Sequence, residues 1–113
     1  MAADQSPLTA SLNRSVSPAD EMVTPGAESD YFAIGERALE LIKLAAKLSG
    51  RPDYQNILDL PCGHGRVMRW IQAHYPRATL TGCDLNQAGV DFCCEQFGAK
   101  GVYSDVEDRK SVV

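Results

Sequence analysis

The sequence predicts an α/β fold, a doubly wound parallel sheet represented by about three strands with flanking helices. Three observations predict it. Short apolar runs alternate with amphipathic stretches from Asn56 onward. Glycine and proline punctuate the joints between them. Each apolar run closes near an aspartate, at Asp59, Asp84 and Asp105. Strands that alternate with helices pair in parallel through right-handed crossovers. Ligands of such sheets bind at the carboxyl ends of the strands.

The chain has 113 residues, 44% of them apolar, enough for one small domain with a buried core. Residues 1–28 are rich in Ser, Pro, Ala and Asp and are interrupted by Pro7, Pro18 and Pro25. That composition predicts a disordered or loosely docked arm, either a plain tail or an arm that folds over substrate. Residues 29–113 form the domain, expected to be partial. The net charge is −4, and Arg66, Arg69, Arg77 and Lys100 are scattered, which disfavours nucleic acid and anionic membrane as partners. No apolar run approaches the ~18 residues of a membrane span. No basic region precedes an apolar core at the N-terminus, so the cytoplasm is the expected compartment.

The first helix is expected from Asp30 to Ser49, capped by Ser29 or Asp30. Tyr31, Ile34, Ala38, Leu41, Ile42, Ala45 and Leu48 fall on one stripe, predicted to be the packing face. Glu36 and Glu40 precede Lys43 and Lys47, in the sense that suits the helix dipole. Gly50 ends this helix and Pro52 blocks its return. Asn56 to Leu60 reads as a strand, and Gly65 to His74 as a helix closed by Pro76. Ala78 to Leu85 reads as the second strand. Asn86 then caps a helix in which Val90, Cys93, Cys94 and Phe97 share one face. Gly98 ends it, and Gly101 to Val106 reads as the third strand.

Cys62, Cys83, Cys93 and Cys94 contain no C-x-x-C pair, which argues against a zinc ribbon or a thioredoxin-like motif. Reduced, mostly buried thiols and no metal are expected, the alternative being a site from Cys62, His64 and Cys83. His64 is expected on a solvated loop, with a general base as its sharper reading. His74 is expected to serve a helix dipole and Trp70 to pack.

The first joint, ILDLPCGHGRV, places Gly63 and Gly65 where the backbone must turn sharply and approach a ligand. The helix that follows favours an anion at its N-terminus, yet Asp59 stands just upstream. A zwitterion suits both groups, so an amino-acid moiety is expected there. At the second joint, Asp84 can accept hydrogen bonds from both ribose hydroxyls, and Leu85 can lie against a base. At the third, Asp105 can accept from an exocyclic amine while the Val106 backbone meets a ring nitrogen. An amino acid, a ribose and an adenine-like base in a row describe S-adenosylmethionine. Each acid also has a plainer use: Asp59 bonding loop amides, Asp84 capping the next helix, Asp105 closing a turn.

ILDLPCGHG resembles the first motif of class I S-adenosylmethionine-dependent methyltransferases. LTGCDLN resembles their second motif and VYSDVED their third. The resemblance covers roughly residues 30 to 106 and implies a Rossmann-like sheet with S-adenosylmethionine as cofactor. It implies Asp59, Gly63 and Gly65 at the methionine end, Asp84 at the ribose, and Asp105 with Val106 at the adenine. Pro61 stands where the commonest pattern has its first glycine, and a proline-cysteine variant also occurs in the family. Proline has no amide to donate, so cofactor contacts pass to the residues after it, Cys62 included. Two alternatives differ in class. A dinucleotide-binding oxidoreductase fragment would need a third glycine where Met68 stands. A non-catalytic module would pair with a partner chain through an open sheet edge.

In that family the first strand lies in mid-sheet, with further strands beyond it. The chain is therefore expected to be a truncated half, inactive alone, with Ile57, Leu58 and Leu60 on an exposed apolar edge. The residues that align the methyl acceptor are not identified. The acidic balance favours a small-molecule acceptor.

Overall fold

The computed structural model describes residues 11–51 and 53–105. Pro7, Pro52 and Val106, to which roles were assigned above, lie outside the described residues. The architecture is α/β: a three-stranded parallel open sheet, in the order β1-β2-β3, with flanking helices. The arrangement is Rossmann-like. The elements are α1 (Glu28–Leu48), β1 (Asn56–Asp59), α2 (Met68–His74), β2 (Thr79–Asp84), α3 (Gln87–Phe97) and β3 (Lys100–Tyr103).

Register places Asn56 beside Thr79 and Asp59 beside Gly82, then Thr81 beside Lys100 and Asp84 beside Tyr103. The aspartates that end β1 and β2 thus emerge at the same side of the sheet. The core between sheet and helices is built from Leu39, Met68, Ile71, Leu80, Val90 and Cys93, all nearly or fully buried. As expected from their spacing, Val90, Cys93 and Phe97 are buried, and Cys94 packs against the same cluster. All four cysteines are free thiols. Asn86 caps α3, its side-chain oxygen accepting from the Gly89 amide at 3.1 Å.

Helix α1 departs from the expected packing face. Its buried residues are Tyr31, Gly35, Leu39 and Ala46, whereas Ile34, Leu41 and Leu48 are exposed. The reason is a close helix contact. A Cβ on Gly35 would run into the Arg66 carbonyl and the Trp70 indole. The helix docks through its glycine, which turns Ile34 and Leu41 outward. Neither Ser29 nor Asp30 caps it: the N-cap is Ala27, without a side-chain bond, and Glu28 and Asp30 occupy the first turn. At the other end Gly50 takes φ +74°, and the Arg51 amide donates back to the Ala46 carbonyl at 2.9 Å.

Helix α2 begins three residues later than expected. Gly63 and Gly65 have φ +52° and +86°, so the loop stays in turns until the Arg69 amide bonds the Gly65 carbonyl at 3.2 Å. His74, at its end, is held below the ordinary histidine pKa by burial and then by Lys43. That shift opposes service as a cation on the helix dipole. No helix among the described residues is long and apolar enough to cross a membrane.

Candidate functional site

The site grows from the two strand ends. Beyond β1 the chain folds back over β2, where the Cys62 amide donates to the Cys83 carbonyl at 3.0 Å. Next to it the Gly63 amide donates to Asp84 Oδ2 at 2.7 Å. The other oxygen, Asp84 Oδ1, accepts from the Asn86 amide at 2.9 Å. One carboxylate thus links the glycine loop to the start of α3. Helix α3 approaches the loop so closely that a Cβ on Gly89 would run into the Gly63 carbonyl. That carbonyl also lies 3.5 Å from Cys62 Sγ and 3.7 Å from Cys93 Sγ.

Between these groups opens a cavity of about 300 Å³. From the sequence-expected site residues it gathers Asp59, Cys62, Gly63 and Asp84, together with Asn86, His64 and Arg66. Burial, and then the neighbouring Asp84 charge, push the Asp59 carboxyl up to about 6. Two carboxylates that share a poorly solvated wall favour a cationic neighbour. The Cys62 thiol is drawn down, first by its hydrogen bond with Cys93, whose own pKa is pushed up by the same bond.

Other expected site residues lie elsewhere. Gly65 is buried: its carbonyl accepts from Arg69 Nε at 3.0 Å, and the Phe97 ring occupies the space a Cβ would need. Leu85 and Asp105 are exposed and outside the cavity lining. Val106 is not among the described residues. His64 is not solvated. It is 6% exposed, its ring 6.2 Å from that of Phe92, and its Nε2 has no hydrogen-bond partner among the described residues. The loop turns this ring inward over α3. Among the described residues no group of three His, Cys, Asp or Glu side chains could hold a metal ion.

The N-terminal segment, for which composition offered either a plain tail or an arm over substrate, supplies a further part of the lining. Ala19, Asp20, Glu21 and Met22 of the N-terminal segment also line the cavity. The Tyr31 hydroxyl donates to Asp20 Oδ2 at 2.6 Å and itself accepts from Arg69 Nη2 at 3.2 Å. Arg69 is fully buried. One signal for it was available: a lone arginine inside the apolar stretch VMRWI is either exposed or buried with all its donors used.

No family model matches the chain, and no solved structure matches it. Over an alignment 57 residues long, which covers 48% of the chain, the sequence is 33% identical to a fatty-acid O-methyltransferase of Mycolicibacterium smegmatis. The match spans about a fifth of that protein, 21% of its length.

Proposed function

We propose that this chain is the cofactor-binding part of an S-adenosylmethionine-dependent methyltransferase. One observation carries the reading: Asp59, the glycine loop and Asp84 converge on a single cavity at the carboxyl ends of adjacent parallel strands. The partial similarity to a named methyltransferase supports it.

The donor set suits the cofactor. Asp59, disfavoured as a lone anion, gains from an ammonium or sulfonium beside it. Gly63 has open space where a Cβ would stand, so a ligand can approach its backbone. Each Asp84 oxygen accepts one amide bond and keeps a second lone pair for a ribose hydroxyl. Cys62 contributes to the cavity wall. The sequence assigns the adenine to Leu85 and Asp105, which are exposed and lie outside the cavity lining. When bound, the cofactor supplies an electrophilic methyl group, while these residues bind, orient and exclude water.

The acceptor we infer is a small molecule bearing a carboxylate, as the name of the similar protein suggests. A carboxylate carries no proton that must be removed before methylation, so no general base is required of this chain. A second reading rests on Leu58 and Leu60, 62% and 59% exposed beside the open edge of β1. There the domain would pair with a partner chain instead of turning over substrate.

Titration with S-adenosylhomocysteine, followed by amide NMR, tests the first reading. Binding should shift the Gly63 amide, and Asp84→Ala should weaken it by about a hundredfold, ~3 kcal/mol. A well-dispersed spectrum that ignores the ligand would remove the cofactor assignment and favour the pairing module.

A further inference from the structure

Arg69 joins two parts of the chain that are far apart in sequence. Its five N–H donors are all engaged. Nε bonds the Gly65 carbonyl at 3.0 Å, and Nη2 bonds the His64 carbonyl at 3.5 Å and the Tyr31 hydroxyl at 3.2 Å. Nη1 bonds the carbonyls of Asn13 at 3.0 Å and Ser15 at 2.6 Å. The guanidinium also lies 5.1 Å from the centre of the Phe97 ring, and 5.3 Å from those of Tyr31 and Phe32. One face of this hub therefore grips the glycine loop and the other grips the N-terminal segment.

The connection continues to the cavity. Tyr31, held by Arg69, donates to Asp20, and Asp20 Oδ1 accepts from the Met22 amide at 3.0 Å. Asp20 is 8% exposed, so its carboxylate depends on the tyrosine hydroxyl for compensation. Glycine loop, Arg69, Tyr31, Asp20 and the turn over residues 19–22 form one chain of bonds around the cavity.

We propose that Arg69 is a positioning residue of the ligand site, and that through Tyr31 and Asp20 it holds the Ala19–Met22 turn as the outer wall of the cavity. The identity of the ligand rests on the cofactor reading above; the wall does not. Ligand enclosure then requires the N-terminal segment as well as the strand ends. The turn sets access to the cavity, and its docking is stabilised by the same guanidinium that fixes the loop.

Tyr31→Phe removes the bridging hydroxyl and keeps the ring. Cys62, which lines the same cavity as the turn, reports access through its alkylation by iodoacetamide, mapped by mass spectrometry with Cys94 as an internal control. In the folded variant, Cys62 labelling should accelerate about tenfold, and S-adenosylhomocysteine should bind about tenfold more weakly. Unchanged Cys62 labelling in a folded variant overturns the proposal, as does faster labelling with unaltered affinity where the wild-type chain binds S-adenosylhomocysteine. A wild-type chain that ignores S-adenosylhomocysteine while Tyr31→Phe still opens Cys62 removes the cofactor reading and leaves the wall standing. If Tyr31→Phe fails to fold, Asp20→Ala, which leaves the Arg69–Tyr31 bond in place, is measured against the same outcomes.

Discussion

Asp84 Oδ2 accepts a 2.7 Å hydrogen bond from the Gly63 amide, so the end of β2 holds the loop that follows β1. Its second oxygen holds the Asn86 amide. An asparagine at position 84 offers a single acceptor oxygen, and its amide nitrogen would face one of the two N–H groups. Asp84→Asn should lower the unfolding free energy by about 1–3 kcal/mol, read from urea denaturation. An unchanged midpoint would mean that the carboxylate does not hold the loop in solution.

The raised pKa of Asp59 makes two opposite pH predictions. In the folded chain this carboxyl titrates at about 6, against 3.8 for the free group. Its contribution to stability is complete below 3.8 and is lost as the pH rises through 6. The unliganded chain should therefore lose stability across that window, and Asp59→Asn should flatten the loss. A cationic ligand reverses the sign, because it gains its partner as Asp59 ionises. Affinity for S-adenosylhomocysteine, whose ammonium is charged throughout, should rise between pH 5 and 7, roughly a window of one unit either side of that titration. Calorimetry at three pH values decides it, and a flat profile would place the ammonium away from Asp59.

Gly89 sets two effects against each other. It lies inside α3, where alanine is worth about 1 kcal/mol more than glycine. Its missing Cβ is also the space taken by the Gly63 carbonyl. A backbone atom cannot swing aside as a side chain can, so helix and loop must separate. Overpacking of this kind costs about 1–3 kcal/mol, enough to outweigh the propensity gain. Gly89→Ala should therefore lower the melting temperature and displace the Gly63 amide resonance. Stabilisation would mean that the loop yields freely.

The site was legible where topology alone dictates it. Parallel strands with crossover helices bring successive strand ends to one side, so Asp59 and Asp84 could be placed together from their positions in the chain. The packing face of α1 could not be read this way. Apolar residues surround that helix, with Leu39, Leu41, Ile42 and Leu44 in close succession, and periodicity cannot choose among them. The choice is made by Gly35, through a contact with a helix more than thirty residues later. For the N-terminal wall, composition left a plain tail and an arm over substrate both open. Arg69 holds Asn13 and Ser15 by their backbone carbonyls, which every residue carries, so no side-chain pattern in the segment announces the docking.

The exposed leucines make the last prediction. Leu41, Leu44 and Leu48 stand out from α1, and Leu58 and Leu60 stand beside the free edge of β1. On that edge no strand is paired among the described residues. Unpaired strand amides flanked by apolar side chains are a template for association. Leu58 is 62% exposed, so its replacement removes little buried surface, and a surface change of this kind is worth within about 0.5 kcal/mol. Leu58→Lys should leave the urea midpoint nearly unchanged while it suppresses self-association, because a lysine on the edge strand repels its own copy. Sedimentation velocity over a range of concentrations measures both chains. Equal association of wild type and variant would move the sticky surface to the α1 leucines, and Leu44→Lys would then show the loss instead.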